Sequence, residues 1–392
     1  MQDSARRSRI PLPEGKALVD ALIIGAGPVG CFVAEGLSRR GHRVLVVEEH
    51  PTVGLPSRCT GLIGEEAFSR FRLPEEPCRR RVRSIVVHGP YQTRLHLIGN
   101  SPLARVVDRP RLDAIMAHRA QEAGAEFLLG QRAQLARTDE EEAAIYLGES
   151  GKHLSGRVLV VAAGFSPLLT ESLGLGRPPG RLLGAQVEAE IGPVEEVEVY
   201  VGQPLPRASF GWVVPTAGQT ARIGVLTYHR PREWLDCLLS DERIRARLRR
   251  RLSEPVVAPL PLGTLPVTVG ERVLAVGEAA GQVKATTGGG VYFGLRAAEA
   301  AVEVLDKALR NDDLSSSSLA EYERRWREIF GKEIEAGLKL RRLARRLDDR
   351  RIAFLLRLAA QNRLKEFLAA SLSGFDWHAS LVASRLAAER SL

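Results

Sequence analysis

Residues 19–49, VDALIIGAGPVGCFVAEGLSRRGHRVLVVEE, decide the fold. A short apolar run leads straight into the glycine-rich turn GAGPVG, a helical pattern follows, and a second apolar run, HRVLVVEE, closes the stretch. Strand, glycine turn, helix and strand in this order form the opening βαβ unit of a dinucleotide-binding domain. The sequence therefore predicts a parallel sheet with helices packed on it at the start of the chain.

Each glycine of the turn has a distinct expected task. Gly25 permits the tight turn, Gly27 lets a pyrophosphate approach the backbone, and Gly30 allows close packing of helix against strand. The helix N-terminus supplies oriented N–H groups for that pyrophosphate. Glu48, at the end of the second strand, is placed to accept hydrogen bonds from ribose hydroxyls and would repel the 2′-phosphate of NADP. Together these residues favour a bound adenine dinucleotide over a merely structural glycine turn.

A second glycine-rich segment, ERVLAVGEAAGQVKATTGGGVYFGL at 271–295, indicates which dinucleotide binds. It resembles the strand–Gly–Asp segment of flavoproteins with the glutathione-reductase or hydroxylase type of fold. The resemblance implies that Glu278, in place of the usual Asp, binds the ribityl chain, and that the later glycines let the backbone approach the isoalloxazine ring. Those glycines are Gly288, Gly289 and Gly290. The prediction is FAD, against the plainer interpretation of a glycine-rich helix start.

The segment VVDRPRLDAIMAHRAQEAGAEFLLG at 106–130 resembles the D-R-x-x-L-D helix of hydroxylase-type flavoproteins. The resemblance implies that Arg109 lies near the flavin, while Asp113 is expected to serve the helix terminus. A surface arginine at a helix start is the alternative that the motif alone leaves open.

The middle of the chain differs in pattern from both ends. Residues 181–230 alternate apolar and polar side chains, as in VEEVEVYVG and ARIGVLTYH, which is typical of an antiparallel sheet with one polar face. The predicted fold class is α/β (α+β), with a Rossmann-like FAD-binding domain interrupted by an antiparallel-sheet substrate domain, plus a C-terminal helical region. The predicted boundaries are a tail at 1–17, a discontinuous FAD-binding domain at 18–80, 105–170 and 266–310, a substrate domain at 81–104 and 171–265, and a basic helical region at 311–392.

Composition narrows the class of protein. With 44% hydrophobic and 26% charged residues the chain has the make-up of a globular protein. A formal net charge of +9 favours an anionic partner, but the chain carries no zinc-finger, RNP or helix-turn-helix pattern, so nucleic acid is not expected. The four cysteines show no paired spacing, which argues against a metal site or disulfide scaffold and favours the cytoplasm. Without a signal peptide or an apolar run of about 18 residues, any membrane contact is expected to be peripheral.

The chain as a whole resembles the geranylgeranyl reductase family of FAD-dependent oxidoreductases, which reduce isolated carbon–carbon double bonds in polyprenyl chains of lipids, chlorophyll precursors or quinones. The resemblance rests on SRCTGLIG at 57–64, on FGWVVPTAGQTARIG at 210–224, and on the helical YERRWREIFGKEIEAGLKLRR at 322–342. The second of these is similar to the family's Tyr-x-Trp-x-Phe-Pro…Gly pattern. Carried over by position, the resemblance implies FAD contacts at Val29, Glu48, Cys59, Thr60, Arg109, Ala133, Glu278, Gly290 and Val291.

The stretch SFGWVVP at 209–215 is where the resemblance predicts the substrate. A prenyl chain must lie against the flavin ring, and Phe210, Trp212 and Pro215 offer rigid apolar surface at small entropic cost. The glycines at 211 and 224 are expected to leave room for that chain, which makes Gly224 the fourth predicted substrate residue. Without the resemblance, an ordinary core residue of a strand is the favoured interpretation of Trp212.

The resemblance implies an enzyme that saturates double bonds of a geranylgeranyl chain by hydride transfer from reduced FAD, with NAD(P)H or another donor as reductant. Cys59 is the one candidate for a proton donor, and a packing role is its alternative. An FAD-dependent aromatic hydroxylase or halogenase is the competing function, although the first Trp of the halogenase element Trp-x-Trp-x-Ile-Pro is missing here. A non-catalytic flavin-binding or assembly protein is a third possibility.

The segment KLRRLARRLDDRRIAFLLRLAAQNRLKEFLAASL at 339–372 interleaves arginines with apolar residues at helical spacing. Such a pattern predicts helices with one face on the protein and the other on anionic lipid headgroups. A solvated charged surface is the alternative. The expected partners are therefore a polyprenyl lipid-like substrate and, through these basic helices, a membrane surface.

Overall fold

The computed structural model describes residues 18–148, 152–371, 374–377 and 379–380, so the tail predicted at 1–17 lies outside the described residues. The strands are β1 (Val19–Ile24), β2 (Val44–Glu48), β3 (Leu62–Gly64), β4 (Cys78–Val82), β5 (Ser84–His88), β6 (Arg94–Ile98), β7 (Ala104–Val107), β8 (Glu126–Leu129), β9 (Ala133–Thr138), β10 (Ala143–Leu147), β11 (Lys152–Val161), β12 (Gly180–Ile191), β13 (Val197–Val201), β14 (Phe210–Pro215), β15 (Thr220–Thr227), β16 (Leu248–Arg251), β17 (Val256–Leu262), β18 (Val269–Gly270) and β19 (Val273–Ala275). The helices are α1 (Pro28–Ser38), α2 (Glu65–Phe71), α3 (Arg109–Glu122), α4 (Pro167–Ser172), α5 (Pro231–Ser240), α6 (Glu242–Arg245), α7 (Val291–Arg310), α8 (Ser316–Trp326), α9 (Lys332–Ala344), α10 (Asp349–Ala359) and α11 (Asn362–Ser371). A 3-10 helix, Gly277–Ala280, precedes α7, and a π-helical turn, Arg327–Gly331, joins α8 to α9.

The first sheet contains the predicted βαβ unit. Its order is β18-β19-β11-β1-β2-β8, with β9 and β10 attached beside β11, and β19, β11, β1, β2 and β8 run parallel. Helices α1, α3 and α7 pack on one face in a single apolar cluster, while a second cluster with β10 and α4 covers the other. Burial on both faces explains why β1, β2 and β11 read as continuous apolar runs.

The second sheet is inserted between β11 and β19 along the chain, with two strands from earlier in the sequence. Its order is β16-β12-β15-β14-β13-β5-β6, and β17 also pairs with β12. The predicted α/β fold with an inserted sheet is confirmed. One detail differs, because β13 and β5 pair in parallel within an otherwise antiparallel sheet. One face packs on α5, and the other faces the first sheet's cofactor elements.

The C-terminal helices pack on both sheets. Tyr322 and Trp326 of α8 are fully buried, and the Trp326 indole donates to the Thr268 hydroxyl at 3.0 Å. Helix α10 packs on β6 at the edge of the second sheet. Among the described helices, none combines the length and apolar character needed to span a bilayer.

Candidate active site

A cavity of about 1480 Å³ lies between the two sheets. It is larger than the roughly 300–1,000 Å³ of a usual small-molecule pocket, as expected where a cofactor and a substrate bind together. The GAGPVG turn, the 57–64 loop, the segment from Glu278 to Val291 and strand β14 all contribute to its wall. Motifs that lie far apart in the chain are therefore brought to one site.

The three turn glycines divide their tasks as the motif predicts. Gly25 has φ +104°, and a Cβ there would lie 2.5 Å from the Ala162 carbonyl oxygen. A Cβ at Gly30 would strike the Gly25 carbonyl oxygen, so both positions are fixed by packing. A Cβ at Gly27 would meet nothing within 4 Å. The backbone at Gly27 thus faces open cavity at the N-terminus of α1, where a pyrophosphate can approach.

Glu48 lies beside this turn at the end of β2. Its Oε2 accepts a hydrogen bond from the Ala26 amide at 2.8 Å, and its Oε1 accepts from the His50 amide at 3.0 Å. The His50 ring Nδ1 lies 2.6 Å from the same Oε1. The carboxylate is therefore fixed at the cavity wall, within the βαβ unit, where a ribose hydroxyl could reach its remaining lone pairs.

Glu278 and α7 form the other end of the cofactor wall. The Glu278 Oε1 accepts from the Phe165 amide at 3.1 Å. Burial raises the pKa of the Glu278 carboxyl above its usual value, although this amide and the guanidinium groups of Arg109 and Arg58 oppose the change. The N-cap of α7 is Gly290, which has no side chain to cap the helix, so the first amides of the helix are left for an anion.

Val29 holds the two helix N-termini side by side. A Cβ at Gly277 would lie 3.2 Å from both γ-methyls of Val29, and one at Gly294 would lie 2.5 Å from its Cγ2. The absence of a side chain at Gly277 and Gly294 lets α1 and α7 approach each other closely. Val29, Ala133 and Val291, all predicted as cofactor contacts, line the cavity.

The loop carrying Cys59 and Thr60 is tied to the second sheet by a buried arginine. Arg222 of β15 donates to the Thr60 carbonyl oxygen at 2.7 Å and to the Val107 carbonyl oxygen at 3.2 Å. The Cys59 sulfur accepts from the Gly61 amide at 3.3 Å. Both Cys59 and Thr60, which the family resemblance predicts as FAD contacts, line the cavity. The sequence offered no signal for Arg222.

Arg109 also reaches the cavity wall, and it interacts with the Cys59 side chain. The expected role of Asp113 at the helix terminus is wrong, because Asp108 caps α3 instead. The Asp113 carboxylate pairs with Arg109 at 3.0 Å, one helical turn away. Burial raises the pKa of the Asp113 carboxyl, and Arg109 opposes that change. Asp113 therefore orients the guanidinium that faces the cavity.

Trp212, on β14 of the second sheet, is part of the cavity wall. Its indole Nε1 is 3.3 Å from the Gln186 Oε1, and a Cβ at Gly224, its cross-strand partner, would strike the indole ring. The space beside Gly224 is thus filled by Trp212, and that beside Gly211 by Leu238. The prediction that these glycines leave room for substrate is wrong, since glycine is needed there for packing.

The predicted substrate residues are therefore divided. Phe210 and Trp212 line the cavity, whereas Pro215 and Gly224 are not part of its wall. Pro215 is buried at the end of β14, opposite Ala221.

An apolar branch of the cavity was missed by sequence reasoning. Its wall is formed by side chains from three strands at the far edge of the second sheet. They are Ile85, Val87, Leu97, Val197 and Val199. The alternation in SIVVH and VEVYV is a signal for one shared face, but it does not reveal that the face borders a cavity. The branch continues the surface of Trp212, which lies opposite Val199 across β13 and β14.

The residues present fit FAD. Two carboxylates, Glu48 and Glu278, lie at separate points of one cavity, and two helix N-termini meet between them. The open space at Gly27 suits a pyrophosphate, which needs backbone amides and no side chain. When bound, FAD supplies a redox centre that can give up a hydride.

The chain is similar to known proteins over most of its length. Residues 20–385 match the model of the lycopene cyclase protein family. The chain belongs to this family. It is an FAD-dependent oxidoreductase, and the resemblance to geranylgeranyl reductases is confirmed. A digeranylgeranylglycerophospholipid reductase of Methanocaldococcus jannaschii is 28% identical over 375 residues, covering 91% of this chain and 92% of the relative.

Solved structures show the same fold for this family member. A geranylgeranyl bacteriochlorophyll reductase-like protein of Thermoplasma acidophilum superposes with a TM-score of 0.84 at 18% identity, covering 94% of this chain and 96% of that one. A flavin-dependent brominase superposes with a TM-score of 0.72 at 15% identity, covering 95% and 99%. Fold is thus shared with enzymes of different chemistry, so function has to be argued from the site.

Proposed function

We propose that the protein saturates isolated double bonds of a geranylgeranyl chain carried by a lipid, by hydride transfer from reduced FAD. The observation that carries the proposal is the apolar branch, which leads away from the cofactor wall along Trp212 and Val199. A flexible hydrocarbon chain fits such a wall, whereas a compact phenol or indole would leave most of it empty. Relatives at 28% identity are named digeranylgeranylglycerophospholipid reductases, which supports the same substrate class.

The protein's own contribution is alignment and the exclusion of water. An isolated alkene has no carbonyl to polarise, so the reacting carbon must be held close to the hydride donor in a dry site. Trp212 is suited to this task because Gln186 and Gly224 fix its ring. Cys59 keeps its place as the candidate proton donor, and its substitution by Ser should abolish turnover if the thiol supplies the proton.

The route by which the lipid enters is part of the proposal. Helix α10 packs on β6, the strand that carries Leu97 of the apolar branch. Its outer face exposes Phe354 and Leu355, 63% and 42% accessible, beside three exposed arginines. Those arginines are Arg350, Arg351 and Arg357. An apolar stripe flanked by basic residues suits the surface of an anionic bilayer, from which a prenyl chain could pass into the cavity.

The test compares a variant that fills the branch with a matched variant outside it. Val87→Phe places a ring in the branch, whereas Ile98→Phe adds the same ring-bearing side chain at a position that is 54% exposed on β6. Both proteins should retain FAD. Val87→Phe is expected to lower the yield of saturated lipid at least tenfold, and Ile98→Phe to leave it unchanged. Equal yields from both variants would contradict a prenyl chain in this branch.

The same assay identifies the substrate and the electron donor. Geranylgeranyl lipids, geranylgeranylated chlorophyll precursors and menaquinone are each supplied with NADH, NADPH or dithionite. Mass spectrometry then counts the hydrogens added to each prenyl chain. Oxygen consumption with a phenol, and no saturated prenyl product, would instead support the hydroxylase or halogenase alternative.

A further inference from the structure

A buried ion pair lies in the cavity wall. The Lys284 Nζ is 2.8 Å from the Asp376 Oδ1, and the two side chains are 7% and 4% exposed. Lys284 belongs to the loop before α7, and Asp376 to the C-terminal segment 374–377. The Phe375 ring lies 4.5 Å from the ammonium. Both charged residues contribute to the cavity wall.

The ammonium is held against the glycine turn that begins α7. The Lys284 amide donates to the Gly289 carbonyl oxygen at 2.9 Å, and the Gly288 amide donates to the Lys284 carbonyl oxygen at 2.8 Å. A Cβ at Gly289 would lie 2.7 Å from the Lys284 Cε and 3.3 Å from its Nζ. The side chain therefore crosses the turn, and its charge cannot move far from it.

This placement puts the charge at the ring end of the cofactor site. Glu48 and the N-terminus of α1 serve the ribose and the pyrophosphate, so the flavin half of FAD has to extend toward Glu278 and α7. Lys284 lies six residues after Glu278 in the same wall. The inference rests on FAD lying in this cavity, as the proposed function requires.

The pair is not explained by stability alone. Two buried charges lose their hydration, and a well-packed apolar pair of the same volume is often at least as stable. The Asp376 Oδ2 is buried, and none of the described residues donates a hydrogen bond to it. A buried charge interacts strongly with neighbouring groups, because the local dielectric constant is low.

We propose that Lys284 and Asp376 together set the reduction potential of the bound FAD. Uptake of two electrons and one proton adds one negative charge to the ring. The Lys284 ammonium, beside the N-terminus of α7, favours that charge, and the Asp376 carboxylate weakens the effect. Lys284 and Asp376 thus have opposite electrostatic effects on the FAD that donates the hydride.

The test measures the midpoint potential of FAD in the full-length protein by anaerobic spectroscopic titration with a reference dye. Lys284→Met should shift the oxidised–reduced equilibrium at least tenfold toward oxidised FAD. For a two-electron couple this corresponds to a midpoint potential about 30 mV lower. Asp376→Asn should shift it at least tenfold the other way, about 30 mV higher. The double variant should return to within about threefold of wild type. Lys307→Met, at a lysine 71% exposed on α7, controls for loss of a positive charge.

The outcomes separate this proposal from the proposed function. Because no prenyl lipid is used, failure to reduce a lipid does not affect the result. Shifts in the same direction for both single variants, or shifts no larger than that of Lys307→Met, would overturn the electrostatic role. Should Lys284→Met not retain FAD, Lys284→Gln removes the same charge while keeping a hydrogen-bond donor. A wild-type protein that binds no FAD would overturn both proposals.

Discussion

Replacing Gly27 by alanine should separate cofactor binding from folding. Gly27 has φ −69° and ψ 176°, a conformation that alanine adopts without strain, and its added Cβ would meet no atom within 4 Å. The free energy of unfolding without FAD should therefore stay the same or rise by about 0.4–1 kcal/mol, since alanine restricts the unfolded chain. The methyl group would therefore clash only with a ligand that occupies the open space at this turn.

The expected loss of FAD affinity follows from the contacts at the N-terminus of α1. A methyl group that displaces the pyrophosphate breaks one or two charge-assisted hydrogen bonds, each contributing about 1.5–3 kcal/mol. A loss of about 3 kcal/mol corresponds to more than a hundredfold rise in Kd. Isothermal titration of the flavin-free protein with FAD measures the Kd, and urea unfolding measures the stability.

Two further glycine variants give the matched comparison. Gly25→Ala combines a φ of +104° with a clash against the Ala162 carbonyl oxygen, so it should destabilise the fold by about 1–3 kcal/mol or more. Gly192→Ala, where a Cβ would make only ordinary contacts with Arg247, should leave the FAD affinity unchanged and change the stability no more than Gly27→Ala does. An FAD affinity of Gly27→Ala within a few-fold of wild type would refute the assigned position of the pyrophosphate.

The remaining expectations concern the second sheet, the buried Glu278 and helix α10. Gly224→Ala should displace the Trp212 ring and cost about 1–3 kcal/mol by overpacking, measurable by urea unfolding; an unchanged stability would contradict the packing described. Because burial raises the pKa of Glu278 in the folded protein, the flavin-free protein should lose stability as the pH rises from 4.5, the usual pKa of a glutamate, through the folded pKa. Glu278→Gln should remove this loss, which urea unfolding at a series of pH values measures. A stability profile that is the same for wild type and variant would contradict the raised pKa. Replacing Phe354 and Leu355 by serine should weaken co-sedimentation with anionic liposomes while leaving FAD binding intact. Equal sedimentation of wild type and variant would contradict the proposed membrane contact.

The parts of the site that depend on the backbone could be predicted from the sequence. Gly25 has the positive φ of a tight turn, and a Cβ at Gly30 would strike the Gly25 carbonyl oxygen within the same βαβ unit, so the spacing of the motif carries the information. Glu278 lies three residues after the end of β19, so its place in the wall depends on the end of that strand. Phe210 and Trp212, which the family resemblance predicted as substrate residues, alternate along β14 and both line the cavity.

The parts that depend on tertiary contacts could not be predicted. Lys284 and Asp376 are 92 residues apart, and nothing local to either position indicates the pair. Gly224 is a glycine because of the Trp212 ring on the next strand, so its sequence neighbours suggest an empty space that the structure fills. Asp113 was assigned to a helix terminus by its position, whereas its partner is Arg109, one turn away.

The most direct measurement of the central claim is a single anaerobic turnover. The protein with bound FAD is reduced by dithionite, mixed with a digeranylgeranyl glycerophospholipid, and followed by flavin absorbance and lipid mass. The absorbance of oxidised FAD is expected to return, and the lipid is expected to gain two hydrogens for each FAD reoxidised. Reduced FAD that persists equally with and without the lipid, yet is reoxidised at once by oxygen, would contradict it.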